Sequence, residues 1–171
     1  MLERLYRDVL IRGYEDVLQG RTIHRYWSEL EQSQWLAPEE LLTLQLSGLR
    51  RLLSHAAEYS PYYRDEWRRR GLVPTELTNL SGFDRWPVID RETVREHRMA
   101  MRSRAPGLRL LAKATGGSSG VPLQFDHDTE SYERKFAAWH RGYSWAGAGP
   151  GTKQLYLWGT ALGEQTWPKR L

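Results

Sequence analysis

Residues 115–122 read TGGSSGVP, so three glycines stand among three hydroxyl side chains within eight positions. Glycine lets a backbone approach a ligand closely and aim successive N–H groups into one concavity. Thr115, Ser118 and Ser119 add hydroxyl donors, and the natural guest of such a loop is the oxygen surface of a polyphosphate. The same composition also serves a plain hairpin turn, because Gly and Ser are what tight turns use. Three named patterns bear on the choice. The P-loop pattern GxxxxGK[ST] fails, since Val121 follows Gly120 and the loop holds no Lys. The dinucleotide fingerprint GxGxxG also fails, because Gly147, Gly149 and Gly151 are spaced GxGxG and follow a helical stretch. Gly116-Gly117-Ser118-Ser119-Gly120 does spell GxSxG, the nucleophile-elbow string of serine hydrolases. An elbow needs a helix directly behind its serine, whereas Pro122 and the following LQF read as extended. Its acid and histidine partners must also follow, and His127 and His140 are the only downstream histidines. Hydrolysis through Ser118 is therefore kept as an alternative to the anion cradle.

The elements that must hold this loop separate into a helical stretch, residues 1–98, and a strand-containing stretch, residues 108–171. Leu2, Leu5, Tyr6, Val9, Gly13 and Val17 recur at helical steps before Gly20, and a second helix is expected over 23–34. Pro38, with Glu39 and Glu40 behind it, opens a third, since proline at a first-turn position and acids at the positive helix end are both favourable. Leu41, Leu42, Leu44, Leu46, Leu49, Leu52 and Leu53 predict a wide buried face on it. Ser60-Pro61 closes that helix, and a shorter one runs from Pro61 past Trp67 to a stop at Gly71. Residues 72–88 read as loop, and Asp90 as the N-cap of a helix to about 98. The period then changes. LRLLAKA over 108–114 reads as a strand entering the Gly/Ser loop, 123–125 as a return strand, 129–145 as an amphipathic helix and 154–158 as another strand. This order gives an α/β class with no internal repeat and no domain boundary within the chain.

Composition bounds the function further. The chain has 171 residues, 40% of them hydrophobic, with eight Trp, which suffices for one core of its own. With no cysteine, disulfides, thiolate nucleophiles and Cys-ligated metals are excluded. No stretch approaches the roughly 18 apolar residues of a membrane span, and charges interrupt any signal-peptide core near the N-terminus. A soluble, cytoplasmic protein without a membrane partner is expected. The net charge of +4 comes from 25 bases interspersed with 21 acids, a weak argument for nucleic acid. Arg95, Arg98, Arg102, Arg104 and Arg109 read as a solvated face, because Glu92 and Glu96 dilute the run and no aromatic is interleaved. Asp126-His127-Asp128 reads as a solvated strand end, not a metal site, since neighbours on a strand point to opposite faces. His55, on an apolar helix, reads as a buried histidine with its hydrogen bonds met. Trp139 and Trp145 read as core or groove residues of the long helix.

With these residues in view, a family resemblance emerges. TGGSSGVP resembles the Ser/Thr/Gly-rich phosphate loop of the adenylate-forming superfamily, of general form [ST]-[ST]-G-[ST]-[ST]-G-x-P. Gly117, Ser118, Ser119, Gly120 and Pro122 match, and Thr115 fits the leading hydroxyl position; Gly116 replaces a hydroxyl residue and Val121 the frequent Lys. The strings His55, Ser60, Pro61, Tyr62, Tyr63, Arg64 and then Trp86, Pro87, Val88, Arg91 resemble the front of phenylacetate-CoA ligases and of related capsular polysaccharide biosynthesis proteins. The resemblance implies an AMP-forming ligase that uses ATP, Mg²⁺, a carboxylic acid and CoA. It implies ATP phosphate binding by Thr115, Gly116, Gly117, Ser118, Ser119 and Gly120, and a substrate wall at Trp158, Gly159 and Thr160. Over 1–171 it implies an incomplete large domain, with the ribose-binding strings and the C-terminal lid lysine absent. Such a chain is expected to be inactive alone and to expose apolar surface that a second copy or a partner would cover. A non-catalytic binding module derived from the same family is the other alternative.

Overall fold

The computed structural model describes residues 20–115, 122–149, 152, 153 and 155. Helix α1 (Ile23–Ser33) is followed by α2 (Pro38–Tyr59), α3 (Pro61–Arg69) and α4 (Arg91–Met101). Strands β1 (Leu110–Ala114) and β2 (Gln124–Asp128) form one antiparallel hairpin, and α5 (Thr129–Trp145) leaves its second strand directly. The described fold is thus mostly helical with a small two-stranded antiparallel sheet. The helix expected over 2–17 and the strand over 154–158 lie outside the described residues or almost wholly so.

Local chemistry explains most boundaries. Pro38 and Pro61 each occupy the first turn of their helices, where a missing N–H costs nothing. Glu40 reaches back to accept the Ala37 N–H at 2.9 Å, which satisfies one orphan donor at the start of α2. The carboxylate of Asp90 takes the Thr93 N–H at 2.8 Å and its hydroxyl at 2.7 Å. Asp128 does the same for α5 through the Ser131 N–H at 2.6 Å. After α3, Gly71 turns to φ +63° while Leu72 N–H bonds to Trp67 O at 2.9 Å and Gly71 N–H to Arg68 O at 3.2 Å. That is a Schellman stop, and it needs a residue without a Cβ penalty at the left-handed position.

Two apolar clusters hold these elements. Leu53 of α2, Trp67 of α3, Leu77 and Trp86 form the first, with the two indoles edge to face at 4.6 Å. Ile23 and Tyr26 of α1 meet Ala137 of α5 in the second. Glu133 of α5, buried beside it, accepts both the N–H and the hydroxyl of Thr22, which ties the start of α1 to α5. Arg134 then stacks on the Tyr26 ring at 4.0 Å.

Three expectations need correction. Residues 72–88 are not simply loop: Pro74–Glu76 and Leu80–Arg85 are 3-10 helices, the second capped by the Asn79 side chain on Gly82 N–H at 2.9 Å. They exist because Leu77 and Trp86 must reach the first core and the chain between them has to coil. Helix α4 runs to Met101, three residues past its expected end. The leucine face of α2 is only partly buried, with Leu42 53%, Leu44 47% and Leu52 65% exposed. A helix of 22 residues that packs mainly on α3 and the first 3-10 turn can cover one stripe, whereas seven leucines spread over more than that.

Candidate functional site

The hairpin has its open end at Thr115 and Leu123, which flank the Gly/Ser string in the sequence. Its register pairs Leu110 with Asp128, Leu111 with His127, Ala112 with Asp126, Lys113 with Phe125 and Ala114 with Gln124. The ladder continues to one further pair: Thr115 N–H donates to Leu123 O at 2.9 Å, and Leu123 N–H donates to Thr115 Oγ1 at 3.0 Å. Thr115 and Leu123, on either side of 116–122 in the sequence, therefore form a closed neck. Of the phosphate-binding residues read from the sequence, Thr115 stands at this neck; Gly116, Gly117, Ser118, Ser119 and Gly120 lie outside the described residues. So do Trp158, Gly159 and Thr160. The Thr115 oxygen accepts from Leu123, and its O–H keeps one donor for another acceptor.

Alternation along the strands gives the hairpin two different faces. Leu111, Lys113 and Thr115 share one with Leu123, Phe125 and His127. There the His127 ring packs against Tyr132 at 5.5 Å, and Tyr132 against Phe136 at 4.8 Å, which seats the hairpin on α5. The other face carries Gln124, Asp126 and Asp128 towards α4. Arg98 donates through Nη1 to Gln124 Oε1 at 2.9 Å and lies 3.4 Å from Asp126 Oδ1. Arg102 Nε lies 3.4 Å from Asp126 Oδ2. The hairpin is thus braced from both sides, by aromatic packing on α5 and by an ion-pair cluster on α4.

This cluster overturns two readings of the sequence. Asp126 is no solvated strand end, because its side chain is 8% exposed between two guanidiniums. Arg98 and Arg102 are not a solvated face either; they neutralise a carboxylate that α4 and the hairpin would otherwise bury unpaired. The signal that pointed there was the i, i+4 spacing of Arg98 and Arg102, but its partner is 28 residues away from Arg98 and no local pattern announces it. Asp128, the third of the string, is spent on the α5 N-terminus.

The strings that carried the family resemblance turn out to sit around the first core. His55 Nε2 and Ser103 Oγ lie 2.9 Å apart, and the His55 ring packs on Tyr59 at 5.0 Å. Arg104 N–H bonds to Tyr59 O at 2.8 Å, so the chain leaving α4 is pinned to the end of α2 at two points. Ser60 is buried at the α2–α3 junction, Tyr63 packs on Trp67 at 5.2 Å, and Trp86 closes the cluster. These residues do packing work. Arg64, Val88 and Arg91 of the same strings are exposed, Val88 to 98%.

Other proposed chemistries find less. Pro122 and Leu123 are irregular and 124–128 is strand, so no helix follows the GxSxG string before Thr129 among the described residues. His140, one of the two downstream histidines, packs its ring on Trp27 at 5.3 Å. Among the described residues no group of three or more His, Cys, Asp or Glu could hold a metal ion, and no helix is long and apolar enough to cross a membrane. No protein-family model and no curated protein matches the chain.

Proposed function

We propose that the chain carries the nucleotide-phosphate loop of an AMP-forming carboxylate ligase of the phenylacetate-CoA ligase-like type. The observation that carries this reading is the neck of the hairpin: two hydrogen bonds between Thr115 and Leu123 close the ladder where the Gly/Ser string begins and ends. A cradle for phosphate oxygens has to be held at both ends, because ordering a free loop around a ligand costs about 1–2 kcal/mol for each backbone residue fixed. Here the strands, the Asp126 cluster and the α5 contacts are in place beforehand. Thr115 retains a hydroxyl proton to donate, and the hydroxyls of Ser118 and Ser119 with the loop N–H groups supply the other donors to the β- and γ-phosphates. Their role is to stabilise negative charge on the departing pyrophosphate while the acid attacks the α-phosphorus. Mg²⁺, bound with ATP, would supply further charge neutralisation. CoA as acceptor rests on the resemblance alone.

Calorimetric titration with ATP·Mg²⁺ tests the reading, comparing the chain with a Ser118→Ala, Ser119→Ala variant. Saturable binding that weakens in the variant is expected. Absence of binding in both, or equal binding, removes the phosphate-loop assignment and leaves an interaction module. Exposed Leu42, Leu52 and Val88 are the observation that favours that second reading. Sedimentation separates the two, since a module that uses those side chains to self-associate would show concentration-dependent dimers.

A further inference from the structure

Helix α4, the end of α2 and the Asp126 face of the hairpin enclose a cleft of about 510 Å³, within the range of small-molecule sites. Its apolar wall is built by Leu52, Ala56, Met101, Leu108 and Leu110. Its polar wall is built by Arg98 and Arg102 with Gln124, Asp126 and Asp128, and the two arginines keep donors without a partner among the described residues. A guanidinium has five donors and no acceptor. Arg98 makes one short bond, to Gln124, and meets Asp126 only at 3.4 and 3.5 Å. Arg102 meets Asp126 at 3.4 Å. Charge-assisted pairs normally close to about 2.7–2.9 Å, so both arginines hold Asp126 through long contacts. The Nε atoms of both are buried and make no hydrogen bond among the described residues.

Two guanidiniums and two carboxylates, Asp126 and Asp128, line the cleft, so their formal charges balance, and the Asp128 carboxylate also accepts the Ser131 N–H at the positive end of α5. What the cleft offers a ligand is the unfilled N–H donors of Arg98 and Arg102 beside an apolar wall. We propose that this cleft binds an amphiphilic oxyanion, with a carboxylate or phosphate-monoester head on Arg98 and Arg102 and a hydrocarbon tail along Leu52, Ala56 and Leu108. The site is defined by Arg98, Arg102, Leu52, Ala56 and Leu108, and it stands whether or not the ligase reading does.

The test is calorimetric titration of the full chain with four probes: octanoate, octyl phosphate, 1-octanol and inorganic phosphate. At least one octyl oxyanion should bind with one-to-one saturation, about tenfold or more tighter than 1-octanol and than inorganic phosphate. Whichever binds tighter identifies the head group. R102Q should weaken that binding about tenfold, because Arg98 still holds Asp126 and the fold persists, as a melting curve would verify. R102K keeps the charge but loses the planar fork, and should bind with intermediate affinity. The Ser118→Ala, Ser119→Ala variant should bind the octyl probes as the parent chain does. Equal binding of 1-octanol, unchanged affinity in both Arg102 variants, or no saturation by either octyl oxyanion at millimolar concentration would overturn the proposal.

Discussion

Thr115 and Leu123 exchange two hydrogen bonds, one of them through the threonine hydroxyl, at the point where the hairpin ladder ends and the Gly/Ser string starts. The hydroxyl is the acceptor for the Leu123 backbone N–H, and its removal leaves that donor to solvent. Thr115→Val keeps the shape and removes the acceptor. It should lower stability by about 1 kcal/mol, speed amide exchange at Leu123 and weaken ATP·Mg²⁺ binding, whereas Thr115→Ser should restore all three. Hydrogen exchange at Leu123 that is the same in Thr115→Val as in the parent would show that the hydroxyl does not hold the neck.

Asp126 and Asp128 stand two residues apart on one strand face but do different jobs, and substitution should separate them. Asp126→Ala removes the carboxylate shared by Arg98 and Arg102 and leaves both guanidiniums facing the hairpin without it. Breaking a fully buried pair costs several kcal/mol; the arginines are 28% and 39% exposed, which reduces the expected loss to about 1–2 kcal/mol. Asp128→Ala removes only a helix cap, at about 1 kcal/mol. Urea denaturation of the two asparagine variants distinguishes them, since Asp128→Asn keeps a capping oxygen and should recover most of the loss, whereas Asp126→Asn lacks the charge that faces the two guanidiniums and should not. Equal recovery by the two asparagines would sink the distinction.

What was legible in the sequence was local chemistry. Pro38, Pro61, Asp90 and Gly71 each fix a helix end through their own backbone or one nearby side chain, and the structure places α2, α3 and α4 accordingly. The hairpin was legible from a change of period around a turn-forming string. What escaped depends on distance along the chain. Asp126 looks like a surface carboxylate until α4 folds back to cover it with Arg98. The 3-10 turns at 74–76 and 80–85 have no period of their own and arise from the need to deliver Leu77 and Trp86 to a core formed elsewhere. The leucines of α2 announce an apolar helix, but which of them are covered is decided by the elements that pack on it.

Trp86 is part of a string that resembles a family of enzymes, yet its indole is 9% exposed and packs edge to face on Trp67. Its role is therefore stability. Trp86→Ala should cost about 3–5 kcal/mol by transfer and cavity terms, and Trp86→Phe considerably less. If the string served ligand binding instead, Trp86→Phe would leave the melting temperature close to that of the parent and abolish ATP·Mg²⁺ binding. The expected result is the reverse: a lowered melting temperature with nucleotide affinity kept.

Glu66 supplies a pH dependence whose sign can be worked out. It is buried on α3, and its carboxylate accepts from Arg70 Nε at 2.6 Å and pairs with Arg69. The Arg70 hydrogen bond, reinforced by both arginine charges, holds its acid constant below the ordinary 4.5. A depressed carboxylate stabilises the fold fully above its unfolded value, and that contribution is lost as the pH falls through the folded one. The melting temperature should therefore drop as the pH is lowered below about 4.5, and Glu66→Gln should flatten part of that drop. Glu31, lowered chiefly by the Trp27 indole N–H at 2.9 Å, should account for a second part through the α1–α5 contact. A Glu66→Gln profile parallel to that of the parent from pH 6 to pH 3 would show that Arg69 and Arg70 do not act through the charge of Glu66.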